Sequence, residues 1–579
     1  MSTKTAQGTV PQMVEEMVRL GPDTVALVLG NASGESVRLT YRELWDAAGA
    51  VADRLVSVPD FAPGALVATL FPRGIQGVVC QLGAWRAGAA YLPLDGALPE
   101  ARRDAILSDA RPFAVLSPGS GPEGVSIDAA AEPGEVEEAD ARAAYVIYTS
   151  GSTGTPKGIE VGHPSLGNLA RWHRETYLTG PGVRVAAFAG LGFDASAWEV
   201  WSTLAAGATL VLPDGVVTSD IDAVCRFMDD WSIEQSFLST PLAEQLLGVS
   251  EPPRSLKILT TGGDKLRVTP PVGFPAAVHN HYGPTEATVV TTASGDLRKP
   301  ADHEAPVIGR PISGAEVRLV DAEGTTVTGP GEPGELLIGG SILALGYRRD
   351  EPLNRKQFVQ GADGSRWYSS GDICRWTKDG ELEFVGRRDS QVSLRGYRIE
   401  LVEIEQAVLR VPGVGQAAVV VHPDADGGAL VGFYSGEAAE DAVRGELMAV
   451  LPGYMVPAML LKLTEIPLNA NGKINRPALL ALSAPHDTDA AAPAMETGTG
   501  ADDAVREKVS EIWSEVLGRV PAATDNFFEI GGHSLKAART LGLTREAFGI
   551  VLPFEVMFSS PVFEDFAAQV GEQVRIKGV

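Results

Sequence analysis

The segment AYVIYTSGSTGTPKG, residues 144–158, runs an apolar stretch of strand character directly into a loop of glycine, serine, threonine and one lysine. Such a run, stopped by turn formers, reads as a strand delivering a loop to one edge of a sheet. ALVATLF (65–71) and FAVLS (113–117) repeat the apolar theme, and between such runs lie amphipathic stretches such as TYRELWDAAGAVADRL. That stretch opens with Thr40 and Glu43 in capping-box spacing, a helix start. The alternation through residues 1–388 predicts a large α/β unit with mostly parallel sheets.

At residue 389 the pattern restarts. Residues 389–482 carry a charged helical stretch (VEIEQAVLRV), a strand (QAAVVVH) and a closing LNANGKINR, which predicts a small α+β unit. Residues 483–501, rich in Ala, Thr, Pro and Asp without apolar periodicity, read as a linker. Residues 502–579 read as a small bundle of short helices. A chain of 579 residues exceeds what one core supports, in keeping with several units.

Charge and cysteine content exclude other classes. A net charge of −26 repels nucleic-acid phosphates, yet a local nest of backbone N–H groups can still hold a nucleotide. Cys80, Cys225 and Cys374 have no metal-ligand spacing, which points to a reducing cytoplasm. The N-terminus has no apolar signal core and no stretch has the length of a membrane span, so neither membrane nor nucleic acid is expected as a partner.

In the loop, Gly151, Gly154 and Gly158 allow close backbone approach to a polyphosphate, Thr149, Ser150, Ser152 and Thr153 offer hydroxyls, and Lys157 adds a cation. No Ser or Thr follows the lysine, so this is not a Walker loop. Composition alone also allows a polar surface loop.

YTSGSTGTPKG resembles the signature of the adenylate-forming superfamily, specifically the adenylation domains of nonribosomal peptide synthetases. FDASAWEVW, NHYGPTEAT, GELLIGG, YSSGD, GRRDSQVSLRGYRIELVEIE and NGKINR follow in family order, and FFEIGGHSL resembles the phosphopantetheine site of a peptidyl carrier protein. The resemblance implies a large multi-subdomain N-terminal part (1–388), a mobile α+β subdomain (389–482), and a four-helix-bundle carrier domain (502–579) after the linker. It implies ATP, Mg²⁺ and 4′-phosphopantetheine as cofactors.

The resemblance also assigns roles. Tyr282 stacks on adenine, Asn280 bonds its exocyclic amine, Thr285 contacts the α-phosphate and Glu286 holds Mg²⁺. Asp372 binds the ribose hydroxyls and Arg387 is a second nucleotide contact. Lys473 bridges the substrate carboxylate and the nucleotide. One ammonium between two mutually repelling anions acts most strongly in the transition state. Asp389 is the hinge of a rotation between adenylation and thiolation poses, and Gly396 lines the thiol tunnel in the second pose. Ser393 and Val402 depart from the family pattern, which has Lys and Gly there, and put the turn before the following helix in question. Ser534 in GGHSL is the phosphopantetheine attachment point at the start of a helix.

Asp194 matches the ligand of the substrate α-ammonium. Ala195, Trp198, Phe237, Thr260, Gly262, His281, Val289 and Val290 complete the implied side-chain pocket. This mostly apolar lining fits a neutral, leucine-like amino acid, while Thr260 and His281 leave proline or a hydroxylated or branched residue open. An acyl-CoA-type acid ligase is the alternative class, opposed by Asp194 and the carrier motif, and a non-catalytic binding module is the other. The partners implied are the amino acid, a phosphopantetheinyl transferase, and a downstream condensation domain or tailoring enzyme, with an MbtH-like protein as a candidate helper.

Overall fold

A computed structural model describes residues 8–577 except 32–33, 35, 97, 122–123, 130–141, 151–155, 215–219, 300–305, 389–390, 395–396, 423–427, 468–473, 483–500, 528–529, 531, 533, 551 and 553–555. The chain divides into two units, Met1–Val216 with Cys225–Glu400, and Leu401–Val579 with Val217–Val224. No helix among the described residues is long and apolar enough to cross a membrane.

Thr40 does open a helix, Tyr41–Val56. Its hydroxyl accepts the Glu43 N–H at 3.2 Å and the Glu43 carboxylate accepts the Thr40 N–H at 2.8 Å. Leu44, Ala48, Val51 and Leu55, three or four residues apart, are buried on its inner face.

Two sheets of the first unit have parallel centres. One runs Gly346–Tyr347, Lys157–Gly162, Ala143–Thr149, Ala90–Asp95, Leu66–Phe71, Ala114–Pro118 and Val125–Ala129 in spatial order. Its Leu66–Phe71 and Ala90–Asp95 strands are buried almost throughout, because helices cover a parallel sheet on both faces. The other is nine-stranded, and its parallel core includes Gln235–Ser239, Ile258–Gly262 and Ala277–Tyr282 side by side.

The expectation of mostly parallel sheets needs one amendment. A third, six-stranded sheet built from segments between Ala315 and Arg387 is antiparallel throughout. Its connections include tight turns at Gly324, Gly364 and Gly380, all with positive φ, too short for the helical crossover that a parallel pair requires.

The second unit begins with helix Leu401–Leu409 beside the strands Val414–His422, Ala429–Gly436 and Met459–Leu463. Val402 lies in the first turn of that helix and is not among the positive-φ residues, so the valine needs no glycine-like backbone. After the short helix Arg476–Leu482, four more follow among the described residues: Ala501–Leu517, Ser534–Phe548, Val556–Ser559 and Phe563–Lys577. Trp513 centres their core, its ring 4.9 Å from Phe527, 5.3 Å from Phe563 and 5.8 Å from Phe566.

Candidate active site

The strand Ala143–Thr149 and its antiparallel neighbour Lys157–Gly162 place Thr149 opposite Lys157 and Tyr148 opposite Gly158. The fit is tight there: a Cβ on Gly158 would lie 3.0 Å from the Tyr148 ring. The loop between them thus leaves and re-enters the sheet at one edge, with its lysine at the return. Burial pulls the Lys157 ammonium below its usual range, against the fields of Glu400 and Glu286.

In the second sheet, Ser239, Gly262 and His281 stand in register at the C-terminal ends of three adjacent parallel strands, where open α/β sheets bind ligands. A Cβ on Gly262 would lie 2.5 Å from the His281 carbonyl oxygen, so the strands approach here only because residue 262 is glycine. The chain then turns through a short 3-10 helix, Thr285–Ala287. Thr288 and Val289, both β-branched, follow with φ of 53° and 68°, a strained left-handed pair. The Thr288 hydroxyl, donating to the Ile342 carbonyl at 2.7 Å, holds that turn in place.

Glu286 is 3% exposed. Tyr347 donates to its Oε1 at 2.6 Å, and Arg398 Nη1 lies 3.1 Å from its Oε2. Burial would raise this carboxyl, but Arg398 and the Tyr347 hydroxyl outweigh it and hold Glu286 below the usual carboxylate range. Glu286 is therefore an anion at neutral pH. Among the described residues no three His, Cys, Asp or Glu side chains cluster as a metal cage. One ionised carboxylate still fits Mg²⁺ that keeps its waters and shares phosphate oxygens.

Asp372 and Arg387 face each other across paired antiparallel strands, and Arg387 Nη1 bonds Asp372 Oδ1 while the Tyr282 hydroxyl bonds Oδ2. Burial pushes the Asp372 carboxyl up, and Arg387 opposes that shift. Asn280, buried one strand position before His281, donates to the Val307 carbonyl at 2.9 Å, while its Oδ1 has no hydrogen-bond partner among the described residues. A buried amide oxygen in that condition suits an exocyclic amine.

The residues expected from the sequence to line a side-chain pocket gather around one helix, Asp194–Ala205. Asp194 and Ala195 start it, and Trp198, one turn on, has its ring 5.4 Å from Phe237 and 5.0 Å from His281. Thr260 pairs in register with Phe237, and Val290 is buried in the same core as Trp198. Val289 packs against that core. Burial raises Asp194 to about 6, against hydrogen bonds from the Thr285 side chain and the Ala195 N–H. His281 is buried, its Nε2 2.5 Å from the Tyr177 hydroxyl, and burial drives its pKa well below the ordinary value, so the ring is neutral.

A hairpin of Gln391–Leu394 and Tyr397–Glu400 reaches into this site from within the same unit. The Ser150 hydroxyl donates to the Arg398 carbonyl at 2.7 Å, the Ser393 hydroxyl donates to the Gly263 carbonyl, and the Tyr397 ring lies 4.8 Å from Phe193. Ser393 is a hydrogen-bond donor here, with no lysine chemistry required of it.

Gly151, Ser152, Thr153, Gly154, Asp389, Gly396 and Lys473 lie outside the described residues. Ser534 is the first residue of its helix in the second unit. A Cβ on Gly532, two residues earlier, would lie 2.2 Å from the Phe527 ring, so the backbone there packs directly on an aromatic side chain. Tyr347, Arg398 and Tyr177 were not singled out from sequence, because tyrosines and arginines in GYRRD, GYRIE and RETY look like ordinary surface residues.

Three family models match the chain: AMP-binding enzyme over residues 14–348, AMP-binding enzyme C-terminal domain over 403–473, and phosphopantetheine attachment site over 507–570. A linear gramicidin synthase subunit of Brevibacillus parabrevis is 36% identical across 98% of this chain, and the chain spans 11% of that protein. Phosphinothricin tripeptide synthetase PhsB of Streptomyces viridochromogenes is 35% identical across 97% of this chain, which spans 49% of it. Among solved structures, holo-PA1221, an NRPS protein containing adenylation and PCP domains bound to a vinylsulfonamide inhibitor, superposes with a TM-score of 0.77 at 26% identity, covering 98% of this chain and 97% of that one. The four-domain nonribosomal peptide synthetase AB3403, bound to AMP and glycine, gives 0.58 at 27% identity, covering 99% of this chain and 43% of that one.

Proposed function

Because this chain belongs to the AMP-binding enzyme family and also matches a phosphopantetheine attachment site, we propose that it activates a neutral amino acid with ATP and passes it to its own carrier domain. The observation that carries this reading is the placement of Asp194, Thr285 and Glu286. The side chain of Thr285 lies near enough to stabilise the carboxylate that would hold the substrate ammonium, and the next residue is the ionised, buried Glu286. An amino acid and a metal-bound nucleotide would therefore meet across one residue.

In the proposed first step, a substrate carboxylate oxygen attacks the α-phosphorus, the bond to the bridging oxygen breaks and pyrophosphate leaves. Both reactants are anionic, so fixed cations and hydroxyls must meet the charge that accumulates. Thr149, Ser150, Ser152 and Thr153, with the backbone at Gly151 and Gly154, would cradle the polyphosphate. Lys157 and Lys473 would supply cations, Thr285 would reach the α-phosphate, and Mg²⁺ on Glu286 would neutralise phosphate charge. Asn280 Oδ1 would accept from the adenine amine, Tyr282 would stack on the base, and Asp372 with Arg387 would hold the ribose. Gly396 would line the path of the acceptor thiol, with Asp389 as the hinge.

Ala195, Trp198, Phe237, Thr260, Gly262, His281, Val289 and Val290 would line the side-chain pocket. A neutral His281 tied to Tyr177 adds no charge to it, which favours an aliphatic, leucine-sized substrate. The 4′-phosphopantetheine arm on Ser534 would supply a tethered thiol as acceptor, and the start of helix Ser534–Phe548 is a fitting seat for its phosphodiester. The proposed division is an adenylation domain of 1–388 and 389–482, a linker of 483–501 and a carrier of 502–579. A phosphopantetheinyl transferase would prime Ser534, and a condensation domain or tailoring enzyme would take the product. Three cysteines outside any disulfide, two of them buried, accord with a reducing cytoplasm.

The test is intact mass of the primed protein after incubation with ATP and a mixture of free amino acids, beside amino-acid-dependent exchange of labelled pyrophosphate into ATP. A mass gain of one aliphatic residue, with exchange driven by the same amino acid, is expected. Exchange that ignores free amino acids and responds to fatty or aryl acids would overturn the reading in favour of an acid ligase.

A further inference from the structure

Glu199 is a buried carboxyl that the proposed chemistry leaves unused. It follows Trp198 on the helix Asp194–Ala205. Its Oε1 accepts the Phe188 N–H and its Oε2 the Ala189 N–H, each at 3.0 Å. Arg73 takes the other polar groups of the same residues. Its Nη2 donates to the Phe188 carbonyl at 2.8 Å and to the Ala189 carbonyl at 3.0 Å. An acidic and a basic side chain thus hold every backbone donor and acceptor of two consecutive residues. Burial pushes the Glu199 carboxyl up, and the two N–H groups and the nearby Arg73 charge act against that push.

The place of this clamp gives it leverage. Phe188 and Ala189 open the loop between the strand Arg184–Ala186 and the helix that Asp194 begins. Beyond them the chain turns, the Phe193 N–H donating to the Gly190 carbonyl at 3.0 Å, and Asp194 follows at once. Gly190 and Gly192 lend that turn little stiffness of its own, so the anchored end decides where it stands. Arg73 lies just beyond the strand Leu66–Phe71, in the seven-stranded sheet whose strand Ala143–Thr149 leads into the proposed polyphosphate cradle. Arg184–Ala186 belongs to the nine-stranded sheet. The guanidinium therefore ties the approach to Asp194 in one sheet to the sheet of the nucleotide loop.

We propose that Glu199 and Arg73 are positioning residues for the amino acid: together they fix the Phe188–Ala189 backbone and, through it, the place of Asp194. This rests on the reading of Asp194 as the ligand of the substrate ammonium. Neither side chain needs to touch a substrate. A group that must meet a charge at close range is only as good as the shell that holds it, and a displacement of about 1 Å can cost about a hundredfold. The groups proposed for the nucleotide stand on other segments. A shift of Asp194 reaches them only indirectly, by way of Thr285, so the amino acid should suffer far more than ATP.

The experiment uses the full chain and pyrophosphate exchange driven by the amino acid that the unaltered protein accepts, beside hydrogen exchange of the Phe188 and Ala189 amides. Glu199→Gln, of nearly equal size, sets an amide nitrogen against one of the two backbone N–H groups. Its amino-acid KM should rise about tenfold and its ATP KM less than about threefold, the scale of one lost hydrogen bond. The two amides should exchange faster. Arg73→Met should show the same split between substrates. Arg73→Lys, which keeps the charge and a donor on a shorter reach, should fall between Arg73→Met and the unaltered chain. A general weakening of the fold would lower the amount of active enzyme and leave both KM values alone. Unchanged KM values, an ATP KM that rises as much as the amino-acid KM, amides that exchange at the unaltered rate, or a lysine no better than methionine would overturn the inference. Should Glu199→Gln fail to fold, the Arg73 pair carries the same test. No exchange with any free amino acid in the unaltered chain would instead sink the adenylation reading beneath it.

Discussion

The Thr285 side chain lies near enough to the Asp194 carboxylate to oppose the rise that burial imposes on it, and Thr285 sits on a 3-10 turn that also carries Glu286. Asp194 begins a helix behind one wall of the pocket, whereas Thr285 follows the end of a parallel strand. One polar neighbour therefore couples the residue proposed for the amino acid to the turn proposed for the nucleotide. Misplacing either partner should affect both substrates.

Asp194 gives a pH dependence with a definite sign. Burial raises its carboxyl to about 6, and a substrate ammonium pairs only with the ionised form. Amino-acid KM in the pyrophosphate-exchange assay should thus be flat above pH 7 and climb as pH falls through 6, approaching about tenfold per pH unit below it. Asp194→Asn should lose most exchange and flatten what remains. The linkage to folding has the reverse sense. A raised carboxyl favours the folded state while protonated, so that contribution is full at low pH and is lost as pH rises from the ordinary aspartate value toward 6.

Asn280 offers a way to separate nucleotide binding from stability. Its Oδ1 is buried without a hydrogen-bond partner among the described residues, while its Nδ2 serves the Val307 carbonyl. Asn280→Leu removes one unmet acceptor and creates another at Val307, so the two desolvation terms largely cancel and Tm should move little. The same change removes the acceptor proposed for the adenine amine, which should raise the KM for ATP roughly tenfold, the worth of about one hydrogen bond. An unchanged ATP KM would remove Asn280 from the nucleotide site.

The α/β rhythm, the helix capped by Thr40 and the helical character of the last segment were legible because each rests on local periodicity and short-range hydrogen bonds. The antiparallel sheet between Ala315 and Arg387 was not, since its strands carry mixed burial, as in the alternating pattern of Pro333–Gly340, and read like connections within an α/β unit. Among the residues proposed for the site, Asp194, Glu286, Asp372 and Arg387 came from motif order alone. Tyr177 escaped because its role depends on His281, a residue 104 positions away in sequence. Arg398 escaped for a related reason: only the folded hairpin brings it to Glu286, 112 positions distant.

Gly262 tests the sheet edge itself. An added Cβ would meet the His281 carbonyl oxygen at 2.5 Å, and that oxygen is backbone and cannot swing aside. Gly262→Ala should force the two strands apart at the pocket floor, costing about 1–3 kcal/mol of stability by overpacking. Thermal unfolding would register that loss. Because His281 moves with its carbonyl, the amino-acid KM should rise far more than the ATP KM. Equal effects on the two would place Gly262 outside the side-chain pocket.

Ser534 divides the proposed activity in two. It begins the helix Ser534–Phe548 in the second unit, while Asp194, Glu286 and Lys157 all belong to the first. None of the groups assigned to adenylation involves the serine hydroxyl. Ser534→Ala should therefore leave amino-acid-dependent pyrophosphate exchange at the unaltered rate. Alanine lacks the oxygen needed for a phosphodiester, so the variant should acquire neither the phosphopantetheine mass nor an aminoacyl mass. Glu286→Gln should show the opposite pattern. It should be primed normally at Ser534 but lose exchange by about 100- to 1,000-fold, the usual cost of removing one electrostatic group aimed at developing charge. Intact mass and exchange run on both variants would check the division. Priming of Ser534→Ala would move the attachment point elsewhere in the carrier, and undiminished exchange in Glu286→Gln would take that carboxylate out of the chemistry.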